Sequence, residues 1–238
     1  MNQITPAVRI LIIINAAIFL INSMTLYEMN DLFGLYLPEN ENYAVWQYLT
    51  SMFMHGGVVH ILFNMMALWM FGSALEQTWG SKKFLILYFA AGIGAGVISS
   101  LVNSYEYASS VAAVNALGMF DADIQELLES RRYMPLAGLT EDMVGEIYQN
   151  YYSKTVGASG AIYGVIVAFA MRYPNAKMML FFVPFPIAAK FFVPVLLAID
   201  LFSGVTGYSL LGGGIAHFAH LGGALIGFLL MLYWRHIK

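Results

Sequence analysis

The stretch KTVGASGAIYGVIVAFAMRYP, residues 154–174, sets Ser159 between two small residues and then stays apolar as far as Arg172. A serine at the head of such a helix is either packing material or a nucleophile. The surroundings of that helix follow from the whole chain. Of its 238 residues 60% are hydrophobic and only 11% charged, and the mean hydropathy is +0.69. A soluble domain carries about a quarter charged residues, and one core could not bury this much apolar surface. Most of the chain is expected to sit in lipid. Cysteine is absent, which excludes disulfides and thiolate metal sites, and a net charge of −3 gives no reason to expect a nucleic-acid partner.

Runs of about 20 apolar residues fall at 7–26, 60–76, 83–102, 156–171, 188–203 and 216–234, with Pro184 and Pro186 blurring the start of the fifth. The first run has no small-residue cleavage pattern and reads as an anchor rather than a signal peptide. Six spans place both termini on one side. Arg9, Lys82, Lys83, Arg172, Lys177, Lys190, Arg235 and Lys238 flank one face, whereas the loop 27–51 on the other has Glu28, Asp31, Glu39 and Glu41 and no Lys or Arg. By the positive-inside rule both termini are expected to be cytoplasmic.

In this orientation the second, fourth and sixth helices all enter from the outer face. His60 and Asn64 lie in the first turns of the second, Ser159 in the first turn of the fourth, and His217 and His220 in the first turns of the sixth. With a rise of 1.5 Å per residue, these polar side chains share one depth. Polar groups in lipid face the bundle interior or a wet cavity. Gly160 and Gly164 in the fourth helix, and Gly223 and Gly227 in the sixth, have the spacing that lets membrane helices approach closely. If those faces meet, Ser159 comes within reach of His220, and histidine is the usual base for a serine hydroxyl. His60 and Asn64, four apart on one face, would supply donors for an oxyanion. Asp200 ends the fifth helix and Glu76 lies at the cytoplasmic end of the second, so no carboxylate is expected to complete a triad, and the constellation reads as a Ser–His dyad.

Each part also has a plainer reading. Serine and glycine in membrane helices are most often packing residues, GxxxG pairs are common, and an intramembrane histidine can serve as a proton relay. His217 and His220 with His55 and His60 would suggest a metal, but there is no HExxH and no acidic residue is close in sequence, so no zinc is expected.

Three blocks taken together resemble the rhomboid family of intramembrane serine proteases: HGGVVHILFN at 55–64, GASGAIYG at 157–164 and AHLGGALIG at 219–227. They keep the family's order and fall on the expected helices. The resemblance implies an all-α, polytopic membrane protein, a single six-helix rhomboid domain over 1–238 of the prokaryotic type. It implies Ser159 as nucleophile, His220 as general base, and His60 and Asn64 as oxyanion-hole residues. Tyr163 would pack against the histidine, with Gly157 and Gly160 supporting, His55 structural in the first loop and His217 accessory. Two departures stand out. Trp46-Gln47 replaces the Trp-Arg that relatives often have in the first outer loop, which questions how that loop is anchored. The other departure is residues 103–154, where many relatives have a short connection.

Within 103–154, Ile124, Leu127 and Leu128 have helical spacing, as do Met143, Ile147 and Tyr151, and Thr140 is placed to cap the second group. Pro135 and Gly138 separate the two. The segment reads as an outer-face helical hairpin between the third and fourth spans, preceded by an apolar stretch at 109–120 lying at the interface. The expected activity is endopeptidase cleavage of transmembrane segments of other membrane proteins near the outer leaflet. The expected setting is the bacterial cytoplasmic membrane, with the bilayer and its substrates as partners and no metal or organic cofactor. The rival readings are a catalytically inactive relative that binds membrane clients, and a small proton-coupled transporter. The first would usually lack the serine or histidine; the second should show repeats or mid-helix acids.

Overall fold

The computed structural model describes residues 3–25, 29–178, 186–208 and 216–236. Glu28, Pro184, Lys238 and the expected end of the first span at residue 26 lie outside them. Helices dominate, because lipid offers backbone groups no partners and a helix satisfies its own. In chain order they are α1 (Pro6–Met24), α2 (Met29–Phe33), α3 (Gln47–Thr50), α4 (Val58–Ala67), α5 (Ser73–Asn115), α6 (Asp121–Ser130), α7 (Glu141–Tyr152), α8 (Ser159–Arg172), α9 (Ala189–Thr206) and α10 (His217–His236). A π-helical turn, Leu68–Gly72, joins α4 to α5. The resulting run Val58–Asn115 has 58 residues, more than twice what one crossing takes. It breaks at Gly80, whose φ of 79° is open to glycine. Among the described residues four helical runs are long and apolar enough to cross a membrane, and α8, with 14 residues, is a shorter apolar helix.

The helix α8 lies at the centre, packed against both α5 and α10. The contact is between backbones. A Cβ on Gly223 would fall inside the carbonyl oxygen of Gly160, one on Gly227 would lie 2.5 Å from Gly164 O, and one on Gly160 would lie 2.5 Å from the Ala95 Cβ. The two small-residue faces read from the sequence do meet, and Ala91 and Ala95 of α5 close the third side.

Two sets of contacts mark the ends of the bundle. At one, Glu76 accepts from the backbone N–H of Ala7 (2.8 Å) and Val8 (3.0 Å), from the Thr5 hydroxyl and from Ser81 Oγ (2.6 Å), so this buried carboxylate caps the start of α1. Trp79 and Trp234 meet edge to face at 5.7 Å, with the Lys83 ammonium 4.4 Å from the Trp234 ring centre. A short antiparallel ladder, β1 (Lys177–Met178) with β2 (Ile187–Ala188), lies between α8 and α9. At the other end, Leu35 and Thr155 exchange both backbone hydrogen bonds (3.0 and 2.8 Å), and Asn40 Nδ2 donates to Tyr151 O (2.6 Å).

The first loop is anchored through the residue that seemed to weaken it. Gln47 is buried: its Oε1 accepts from Tyr36 N (3.3 Å) and Ala44 N (3.2 Å), and its Nε2 donates to Asn42 O (2.9 Å) and Leu32 O (3.3 Å). A neutral amide with both donors and acceptors ties the loop's backbone to itself. Beside it, the buried His55 ring stands edge-on to His60 at 5.1 Å.

Two helices, α6 and α7, lie within 103–154. Thr140 accepts from Met143 N (3.3 Å) as the N-cap of α7, and Asp123 accepts from Phe120 N (2.9 Å) at the start of α6. The third span, however, does not end at 102, and 109–120 is not a separate interfacial stretch. α5 continues to Asn115, because no proline or glycine interrupts 103–115 and an established helix propagates cheaply. The chain turns at Gly118, with φ of 97°. Val114 and Met119 then form a second apolar core with Ile124, Leu127, Val144 and Ile147.

Two expectations follow. Gly223→Ala should unfold the bundle or part α8 from α10, because the colliding atom is backbone. Gly145→Ala, whose methyl meets nothing within 4 Å, should stabilise α7 by about 0.5–1 kcal/mol; thermal unfolding in detergent compares them, and equal midpoints would contradict the packing. For His55, burial first and then the neighbouring His60 hold its pKa down to about 4. The unfolded chain binds that proton near pH 6.5, so stability that is whole above pH 6.5 is lost as pH falls toward 4. The thermal midpoint should drop over that window, and less so in His55→Phe.

Candidate active site

The loop that delivers Ser159 is built on one glycine. Gly157 has φ of 122°, in the region that disfavours side chains, and donates its N–H to Ser51 O at 2.9 Å. A Cβ there would lie 2.7 Å from His60 Nε2. The chain thus passes tight against the His60 ring and starts α8 at Ser159 itself. The glycine contact between α8 and α10 then brings Ser159 Oγ to 2.8 Å from His220 Nε2. Tyr163, one turn along α8, stacks its ring on the His220 ring, centroids 4.1 Å apart and planes 14° apart.

His60 and Asn64 reach the same place from α4. They line one cavity of about 780 Å³ together with Ser159, Tyr163 and His220. Gly56 N donates to His60 Nδ1 at 3.4 Å, which leaves Nε2 of the neutral ring as the N–H that faces Gly157. Asn64 is buried and donates from Nδ2 to His60 O (2.9 Å), with its second amide hydrogen left for another acceptor. His55 does not line the cavity. It lies behind His60, against whose edge it packs.

The expectation that no carboxylate reaches the serine and histidine is overturned. Asp200 does not end α9, which continues to Thr206. Its side chain is fully buried. Oδ1 lies 2.6 Å from His217 Nδ1 and 3.2 Å from His220 Nδ1, and Oδ2 accepts from the Tyr163 hydroxyl at 2.5 Å. His217 is therefore a partner of this carboxylate and not of Ser159. The available signal was an acid inside an apolar span, which lipid tolerates only when paired.

The chemistry open to this arrangement is acyl transfer. A hydroxyl, a base within hydrogen-bond reach and donors beside the same cavity are its three requirements.

Comparison with known proteins identifies the family. The model of the Rhomboid domain matches residues 42–236. The chain is 36% identical over 87 residues to Rhomboid protease GluP of Bacillus subtilis, which is 37% of this chain and 17% of that protein. It is 28% identical over 152 residues to Rhomboid protease GlpG of Haemophilus influenzae, covering 60% of this chain and 79% of the relative. Rhomboid-like protein 11, chloroplastic, of Arabidopsis thaliana is 28% identical over 190 residues, 71% of this chain and 66% of that protein. The chain thus spans widely different shares of these relatives, from 17% to 79%. By its family model, its helices and its relatives, the chain is a multi-pass integral membrane protein and belongs to the rhomboid family.

Proposed function

We propose that this protein is an intramembrane serine endopeptidase that cleaves transmembrane segments of other membrane proteins. The observation that carries the reading is the 2.8 Å contact of Ser159 Oγ with His220 Nε2 in a cavity that His60 and Asn64 also line. Ser159 Oγ attacks the substrate carbonyl carbon as its proton passes to Nε2 of His220. The oxyanion is held by the backbone N–H of Ser159, His60 Nε2–H and the free Asn64 amide hydrogen, each worth roughly 3 kcal/mol in the barrier. His220 then protonates the leaving amine as the C–N bond breaks. A water then gives a proton to His220 Nε2 as its oxygen attacks the acyl carbon, and Nε2 returns that proton to Ser159 Oγ as the acyl C–Oγ bond breaks.

The substrate is a helix whose backbone is already hydrogen-bonded, so it must unwind locally before a carbonyl is exposed. Substrates with helix-weakening residues fit this demand, and the family resemblance implies a small residue at the cleavage position. We place both termini in the cytoplasm and the bundle in a bacterial cytoplasmic membrane. The basic residues Arg9, Lys82, Lys83, Arg172, Lys177 and Lys190 gather near the Trp79–Trp234 end, and Asp31, Glu39 and Glu41 lie in the loop at the end of Ser159. The cavity then opens toward the outer leaflet, from which deacylating water arrives. The hairpin of α6 and α7 stands on that outer side as an insertion within the single domain.

A fluorophosphonate probe tests the reading on the purified protein in mild detergent. Wild type should be labelled; Ser159→Ala should abolish labelling while keeping the wild-type unfolding temperature, and His220→Ala should abolish it in a chain that still folds. A folded wild type that takes no label would overturn it. In cleavage of a transmembrane reporter, Asn64→Ala should lower kcat about 10²–10³-fold, the usual effect of losing one oxyanion donor.

A further inference from the structure

The proposed chemistry leaves one buried ionisable group unused. Asp200 is the one acidic residue of the largely apolar α9, and it is fully buried. A carboxylate in that setting is tolerated only when its oxygens are fully engaged. Here two helices supply the partners: Tyr163 from α8 donates its hydroxyl to Oδ2, and His217 and His220 from α10 direct Nδ1 at Oδ1. Among the described residues these three are the titratable groups hydrogen-bonded to it.

An ionised carboxylate accepts and never donates, so each partner must bring a hydrogen. For His220 this has a chemical consequence. A proton on Nδ1 leaves the lone pair of the neutral ring on Nε2, the atom 2.8 Å from Ser159 Oγ. The opposite tautomer would set an N–H against Ser159 and make the ring useless as a base. Tyr163 acts twice, since the ring that stacks on His220 carries the hydroxyl that bonds Asp200. His217, three residues before His220 on the same helix face, takes the same oxygen at the shorter distance. Asp200 Oδ1 therefore has a donor besides His220.

We propose that Asp200 is the positioning residue of His220, fixing its tautomer and orientation for Ser159, with Tyr163 and His217 as its two holders. The inference rests on the serine-protease reading. Asp200 takes no proton in the cycle. The proton moves from Ser159 Oγ to His220 Nε2 as the Oγ–C bond forms, then to the leaving nitrogen as the C–N bond breaks, and the carboxylate faces the imidazolium in between.

The test uses the whole chain in detergent and two readouts. Asp200→Asn, nearly isosteric, should slow fluorophosphonate labelling of Ser159 up to about 10⁴-fold, the loss in a serine site deprived of this partner, while the protein stays folded by thermal unfolding. Nitrogen-15 NMR of histidine-labelled wild type should show neutral His220 protonated at Nδ1 and bare at Nε2. Wild-type labelling rates in Asp200→Asn, or a neutral His220 protonated at Nε2 in wild type, would overturn the proposal. If Asp200→Asn does not fold, the wild-type tautomer decides. A folded wild type that takes no label overturns the protease reading instead, and the tautomer still decides whether Asp200 positions His220.

Discussion

The structure depends on the meeting of two backbones. In lipid there is no hydrophobic force to press one apolar helix on another, so association rests on close van der Waals fit and on polar contacts. Gly160 and Gly164 of α8, with Gly223 and Gly227 of α10, remove the side chains that would hold the helix axes apart. The atoms that then touch are carbonyl oxygens and α-carbons. The distance between Ser159 and His220 is inherited from that approach. Neither side chain is long, and an added methyl in the seam would move them beyond hydrogen-bond reach.

The same scarcity of partners governs the polar groups. Glu76 is the clearest case away from the cavity: buried near a helix end, it gathers two backbone donors and two hydroxyls at the start of α1. Asp200 gathers a phenol and two imidazoles. Gln47, neutral and able to give and take, binds four backbone groups of the first loop. A membrane protein has few such residues, and each is surrounded by the donors or acceptors that make it tolerable.

What was legible in the sequence follows from this. The spans could be read because hydropathy is local, and the Ser159–His220 pairing because glycine spacing marks which faces of two helices meet. That Tyr163 packs against His220 came through resemblance to the family, and the two rings are stacked. Asp200 was not legible as a partner of His220. Its place depends on α9 lying beside both α8 and α10 and on α9 continuing to Thr206, and no periodicity in one helix reports its neighbours. Gln47 misled for a similar reason: its departure from an expected arginine was visible, but the loop backbone that closes on it was not. The length of α5 was misjudged because hydropathy falls after residue 102 while helix propensity does not.

That long helix belongs to two cores. Its lower part supplies Ala91 and Ala95 to the seam with α8, and its upper end supplies Val114 to the separate cluster that closes the hairpin. Between them the described backbone is one uninterrupted helix, stiff to torsion over that stretch. A twist imposed on the hairpin is therefore carried along α5 as a rotation of the alanine surface on which the serine's helix rests. The two cores are mechanically in series, so load on one reaches the other without any contact crossing the cavity.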